Sequence, residues 1–342
     1  MKQLRYTLSF TTPAFMGNAD QNAQWRTPPI KHLLREWWRV AYAADKNFAV
    51  RVDEMRREEG LLFGMATDGE SRKSLVRIRL DRWNMGEMRN WQALESVSHP
   101  EVKFPVGSDL YMGFGPLTLP RGAKQPALKA NAAIQAEEAA SLSIAVPEIY
   151  SRLIERALWL IDKYGTLGGR SRNGWGAFML TPINDTPVLT GQTPQRDWCA
   201  CLDRDWSHAI GRDEKAPLIW QTAPHNDWKT LMKTLAEIKI GLRTQFKFTT
   251  GKNAEAPESR HWLSYPVTNH SVQNWDNNAR LPNTLRFKVR KTDAGKIVGV
   301  IFHVPHLPPR SFNPHKREIE NVWQRVHAFL DAPAQNLTRI SE

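Results

Sequence analysis

Only two cysteines occur in 342 residues. Cys199 and Cys201 are spaced Cys-x-Cys, with no second pair to complete a zinc site, so a disulfide framework is excluded and a structural, inert pair is expected. No run of about 18 consecutive apolar residues is present, which excludes a membrane helix. The opening Met-Lys-Gln-Leu-Arg-Tyr-Thr lacks the apolar stretch of a signal peptide, so the chain is expected in the cytoplasm. No Gly-Lys-Ser/Thr phosphate loop is found. Acidic side chains are in short supply: 35 Asp and Glu against 47 Lys and Arg, a formal charge of +12. Such an excess attracts polyanions, and nucleic acid is the one that a cytoplasmic protein meets most often. No metal, cofactor or membrane partner is expected.

Apolar side chains are not lacking. They make up 41% of the chain, enough for a core, and the length suits two domains or one two-lobed one. Fourteen tryptophans suit either a Trp-rich core or base stacking. Residues 3–12 alternate, with Leu4, Tyr6, Leu8 and Phe10 on one face of a half-buried strand. Thr27 reads as a helix N-cap before Pro28 and Pro29, opening a helix to about Ala44. Residues 75–82 alternate again, with one apolar and one strongly basic face. Further strands are expected at 110–114, 142–146 and 177–180, with a helix from 148 to about 163. Residues 120–140 read as an exposed insertion. Pro182, Pro187, Gly191 and Pro194 mark a linker at 181–196. Beyond it come strands near 198–203 and 217–222, a helix at 228–242 capped by Asp227, a hairpin of 284–291 and 296–304, and a helix at 314–330. This mixture, with antiparallel hairpins, favours two α+β units over one doubly wound sheet.

Two segments carry chemistry suited to phosphate. On a helix at 30–44, Ile30, Leu33, Leu34, Trp37, Val40, Ala41 and Ala44 form an apolar sector. Lys31, Arg35 and Arg39 stack four apart on another stripe, with Trp38 and Tyr42 among them. Three cations in a row repel one another, a cost that a polyphosphate would turn into a gain. His32 and Glu36 lie on a third side. The second segment, residues 164–176, reads Tyr-Gly-Thr-Leu-Gly-Gly-Arg-Ser-Arg-Asn-Gly-Trp-Gly. Its glycines permit close backbone approach, and Arg170, Ser171 and Arg172 supply donors for phosphate oxygens.

That second segment resembles the glycine-rich signature of the RAMP superfamily, the subunits of CRISPR effector complexes. Thr12–Ala23 and Arg26–Arg39 resemble the N-terminal signature of its branch that supplies the first subunit of type III-B (Cmr) complexes. Arg260–Pro266 is similar to an element that members place before their last strands. Backbone subunits of variant type I and type IV complexes carry related signatures. The resemblance implies a ferredoxin-like (RRM-like) fold, duplicated into lobes 1–183 and 184–342 with an insertion at about 45–140. It implies a non-catalytic RNA-binding subunit that needs no cofactor and works with CRISPR RNA, target RNA or DNA, and other effector subunits. It places RNA contacts at Lys31, Arg35 and Arg39 and at Gly168, Gly169, Arg170, Ser171 and Arg172. Arg26 and Trp38, within the N-terminal motif, complete the candidate set.

Two other activities are open from sequence. A ribonuclease needs carboxylates around a metal or a histidine as general acid or base. Asp20 is the only acid within a recognised motif, and His261, His270, His303, His306 and His315 crowd late in the chain without a distinguishing spacing. A DNA-contacting subunit could use Lys103, Arg121, Lys124 and Lys129 in the insertion.

Overall fold

The computed structural model describes residues 1–67 and 70–341. Asp68 and Gly69, part of the expected insertion, lie outside the described residues, as does Glu342.

The first half runs β1 (Lys2–Phe10), α1 (Thr27–Asp45), α2 (Val52–Phe63), β2 (Arg77–Leu80), α3 (Ser108–Gly113), β3 (Ala139–Val146), α4 (Glu148–Tyr164) and β4 (Phe178–Pro182). The alternation in β1 does what a half-buried strand requires: Leu4, Tyr6, Leu8 and Phe10 are all at most 1% exposed. The four strands form one antiparallel sheet in the order β4-β1-β3-β2. Pro28 and Pro29 sit in the first turn of α1 as expected, but Arg26 holds the N-cap position and no side chain caps the helix. Thr27 is its first residue.

The second half runs β5 (Ile219–Thr222), α5 (Trp228–Thr244), β6 (Leu285–Lys291), β7 (Ile297–His303), α6 (Lys316–Asp331) and β8 (Leu337–Arg339). Asp227 caps α5, its carboxylate accepting the Thr230 amide at 2.9 Å. The sheet order is β6-β7-β5-β8, again antiparallel. Read from β8, both sheets place their strands in chain order four, one, three, two, with helices after the first and third strands. This is the split βαβ connectivity of a ferredoxin-like fold, present twice.

The two units stack in four layers. α1 and α4 cover one face of the first sheet, and their far side meets the second sheet. There Phe302 of β7 lies 6.3 Å from the Trp37 ring and 5.0 Å from that of Tyr164, centre to centre. The opposite face of the second sheet receives α5 and α6, with Ile301, Phe287 and Trp220 in a second core. β7 is therefore buried on both faces, as a strand between two helical layers must be.

Three expected elements differ. Residues 110–113 belong to α3, with Phe114 just past its end, and residues 200–203 form a 3-10 turn instead of a strand, because short apolar runs do not distinguish the two periods. The 120–140 segment is not simply exposed: Ala132, Ala133 and Ile134 are buried, and Ile134 pairs with Ala14. Cys199 and Cys201 are free thiols, pushed up to about 11 and about 12 by burial.

Candidate nucleic-acid interface

The glycine–arginine loop is built against two other segments. Gly168 has φ +92°, and a Cβ there would fall 2.8 Å from the Phe15 carbonyl, so only glycine lets the loop lie on the strand exit. Gly176, at φ +64°, would drive a Cβ into the Leu167 carbonyl oxygen. The glycines thus serve chain-to-chain approach. From Arg172 on, the loop is stitched to the second sheet: the Phe287 amide donates to the Arg172 carbonyl at 3.1 Å, and Asn173 pairs alongside Phe287. Arg170 takes a positive φ of 56°, uncommon for a residue with a Cβ, and its Nε donates to the Phe114 carbonyl at 2.6 Å.

This geometry turns Arg170, Ser171 and Arg172 into a cleft of about 980 Å³ between the two halves. Lys239 and Arg243, four apart on α5, line its floor, and Arg280 stands on the far wall. Among the described residues, no carboxylate lines it. Among the described residues, none of the five cations is ion-paired; their partners are amide or carbonyl groups. Arg172 donates to the Asn283 carbonyl at 2.8 Å, Lys239 to the Asn173 side chain, and Arg280 to the Ala279 carbonyl. Arg243 Nε is buried without a hydrogen-bond partner. Burial, with Arg243 and Arg170 nearby, pushes the Lys239 ammonium well below the usual lysine range. Burial and the neighbouring Arg286 bring Arg172 down to about 10. Apart from Arg172, which feels the Glu36 carboxylate, these crowded cations lack a counter-charge among the described residues and gain when an anion enters the partly dry cleft.

Lys239, Arg243 and Arg280 were not singled out from sequence. The signal was a lysine between Ile238 and Ile240 on an amphipathic helix, followed by an arginine one turn on.

The α1 stripe differs from its expected form. Arg35 and Arg39 both donate to Glu59 of α2, at 2.5 and 2.8 Å, and the Glu59 side chain is only 2% exposed. α2 roofs the stripe, so two of its three cations already have a counter-charge. Trp38 and Tyr42 are not interleaved in solvent: they are 0% and 1% exposed, packed on each other and, for Trp38, on Phe63. Trp38 therefore has no ring face to offer a base. Lys31 carries no ion pair among the described residues. Arg26 donates to the Gly17 carbonyl, tying α1 to the preceding loop.

α1 and the glycine–arginine loop do approach, through Glu36. Its carboxylate accepts from Arg286 at 2.6 Å. Burial would raise this acid, but Arg286 and Arg172 outweigh it and hold it below the usual carboxylate range. The contact is thus made on the side of α1 that bears Glu36, not along Lys31, Arg35 and Arg39.

Asp20 is an exposed turn residue whose amide donates to Asn18 Oδ1. Among the described residues, no three His, Cys, Asp or Glu side chains are grouped to hold a metal ion. Of the late histidines, His303 is enclosed in a chain, with Nδ1 2.9 Å from His327 and Nε2 3.0 Å from Thr284. His261 is buried and closes a capping box with Glu258. Lys103, Arg121, Lys124 and Lys129 are all exposed.

No curated protein matches the sequence. Among solved structures, the apo crystal structure of Cmr1 from Pyrococcus furiosus is similar over 99% of this chain and 98% of that one, with a TM-score of 0.50 at 16% identity. A chain of the type III-B Cmr-beta structure bound to cognate target RNA gives a TM-score of 0.48 at 12% identity, over 96% and 99%. One of a type IV-B CRISPR complex gives 0.32 at 13% identity, over 57% and 95%. The first of these shares the fold, at an identity too low to carry function. The sequence model of the RAMP superfamily matches residues 7–178, just over half of the chain and the whole stretch from β1 through the glycine–arginine loop. The chain belongs to the RAMP superfamily.

Proposed function

We propose that this protein is a non-catalytic RNA-binding subunit of a CRISPR ribonucleoprotein effector complex, gripping a sugar–phosphate chain in the cleft between its two lobes, 1–183 and 184–342. The observation that carries this reading is the cleft itself: Arg170, Arg172, Lys239, Arg243 and Arg280 converge on one space without a carboxylate among the described residues of its walls. Phosphate oxygens are the acceptors that such a set of donors lacks. A backbone-directed grip of this kind is independent of sequence, which suits a guide RNA whose bases must remain free to pair. Membership of the RAMP superfamily supports the same assignment of partner class. Lys31, near the start of α1, lies outside the lining of this cleft and is proposed as a separate phosphate contact on the α1 stripe. Arg35 and Arg39 join it by giving up Glu59.

Binding of a labelled 20-nucleotide single-stranded RNA by the full chain, followed by fluorescence anisotropy from 50 to 200 mM salt, tests this. Arg170→Ala, Arg243→Ala and Arg280→Ala are each expected to weaken binding and to flatten the logarithmic salt slope by about 0.7. Unchanged affinity and slope in all three would reject the cleft as the RNA path. RNA fragments accumulating during the incubation, with or without a divalent cation, would reject the non-catalytic assignment.

A further inference from the structure

The first sheet has a second face, and at its Arg5–Arg79 end no helix of the described residues packs on it. Residues that alternate with the buried set point there. On the central strand β3 these are Ala139, Ser141, Ser143 and Ala145, all half-exposed. On β1 and β2, Arg5, Arg77 and Arg79 are exposed. Register places them in rows: Arg5 and Arg79 both pair with Ser143, and Gln3 and Arg77 both pair with Ala145. At strand spacings of about 4.8 Å, Arg5 and Arg79 stand roughly 10 Å apart across a serine, with Arg77 about 7 Å along the strand from Arg79. None of the three arginines is ion-paired among the described residues. At the margin, the Asp81 carboxylate is engaged by the Ser141 amide at 2.9 Å. Toward Ser9 and Met179 the face runs into a cleft of about 830 Å³ of mixed charge, so the cationic character is confined to the Arg5–Arg79 end.

We infer that this face holds the backbone of a nucleic-acid duplex, at a site separate from the interlobe cleft. The occupant follows from the side chains. Protein interfaces are enriched in aromatic residues and depleted of Ser and Ala at their cores; between its three arginines this face is Ser, Ala, Thr and Gln, with Met179 at the far end and no aromatic ring on its strands. Single strands are held on open-faced sheets by aromatic stacking platforms, and none exists here. A low surface of hydroxyls edged by arginines meets phosphates and sugars without needing splayed bases, which is how duplexes are recognised by shape.

The test uses the full chain, a blunt 20-base-pair RNA duplex, the DNA duplex of the same sequence, and the 20-nucleotide single-stranded RNA. The variant carries Arg5→Glu, Arg77→Glu and Arg79→Glu together, all at exposed positions. Duplex affinity is expected to fall at least ten-fold, with the salt slope reduced by about 2 to 3, close to 0.9 per lost phosphate contact. Single-strand binding is expected to change less than two-fold. Arg170→Ala with Arg243→Ala is expected to do the reverse, so failure of the cleft and failure of the sheet face register on different probes. Whichever duplex shows the loss identifies the ligand as RNA or DNA. No binding of either duplex by the unaltered chain overturns the inference. So does an unchanged duplex slope in the triple variant, or an equal loss on single strand and duplex.

Discussion

The second strand of each sheet in the ferredoxin-like order, β2 in the first half and β6 in the second, alternates cations with apolar residues. In β2, Ile78 and Leu80 face the helices while Arg77 and Arg79 face away into solvent. In β6, Phe287 and Val289 face the helices while Arg286, Lys288 and Arg290 face away into protein. Lys288, at 0% exposure, donates to the carbonyls of Ile161 and Asp162, and Arg290 Nε donates to that of Lys163. Those carbonyls end α4, where the helix leaves acceptors unsatisfied and the dipole is negative. The same strand pattern therefore serves two ends. One copy of the fold spends its outward cations on joining the halves, and the other leaves them for an external polyanion.

Acid should separate the two halves most strongly. Eight of the ten histidines lie beyond residue 183. Burial holds His327 down to about 3 and His306 down to about 4, and pushes His303 lower than its ordinary value too. A histidine neutral in the folded state but able to charge when unfolded contributes stability above its unfolded pKa near 6.5 and loses it as pH falls toward the folded value. For His306 and His327 together the loss between pH 6.5 and 5 comes to about 3 kcal/mol, a little under 1.36 kcal/mol per pH unit for each because the unfolded imidazoles are only half protonated at pH 6.5. Urea melts at the two pH values measure it, and His327→Gln is expected to remove about half.

Lys288→Met comes next. It leaves the Asp162 carbonyl without its donor inside the interlobe layer, the Ile161 carbonyl still accepting the Gly165 amide, and is expected to cost about 2 kcal/mol in the urea midpoint. A loss below about 1 kcal/mol would mean that the halves are held by apolar packing alone.

Glu59→Gln acts on binding more than on stability. It removes the charge shared by Arg35 and Arg39, and single-stranded RNA affinity is expected to rise a few-fold with a salt slope steeper by up to about 1.4. An unaltered slope would place these arginines off the RNA path. Arg77→Ala with Arg79→Ala closes the series. At exposed positions in the equivalent strand they are expected to move stability by less than about 0.5 kcal/mol, against the several-fold larger effect at Lys288.

Most of this fold was legible in periodicity. β1, α1, α4, α5 and the β6–β7 hairpin were each marked by an apolar repeat, a cap or a turn, and the structure places them within a few residues of the expected bounds. The strand expected at 75–82 is likewise present as β2, whereas the three residues of β8 show why the rest was harder: so short an edge strand carries too few alternations to count. The site was half legible. The glycine–arginine loop is contiguous and advertises itself, whereas Lys239, Arg243 and Arg280 meet it only through the stacking of two halves. Trp38 misled because one helical turn holds both a core sector and a polar stripe, and the stripe is roofed by α2, an element that no local pattern in α1 foretells.

The pairing of Asn173 with Phe287 has one more consequence. β6 is the outermost strand of its sheet, and an uncovered rim of that kind offers its amides and carbonyls to any other chain. By lying along that rim the glycine–arginine loop acts as a guard against intermolecular strand addition. A chain whose loop is shortened between Gly168 and Gly174 should therefore self-associate before it unfolds.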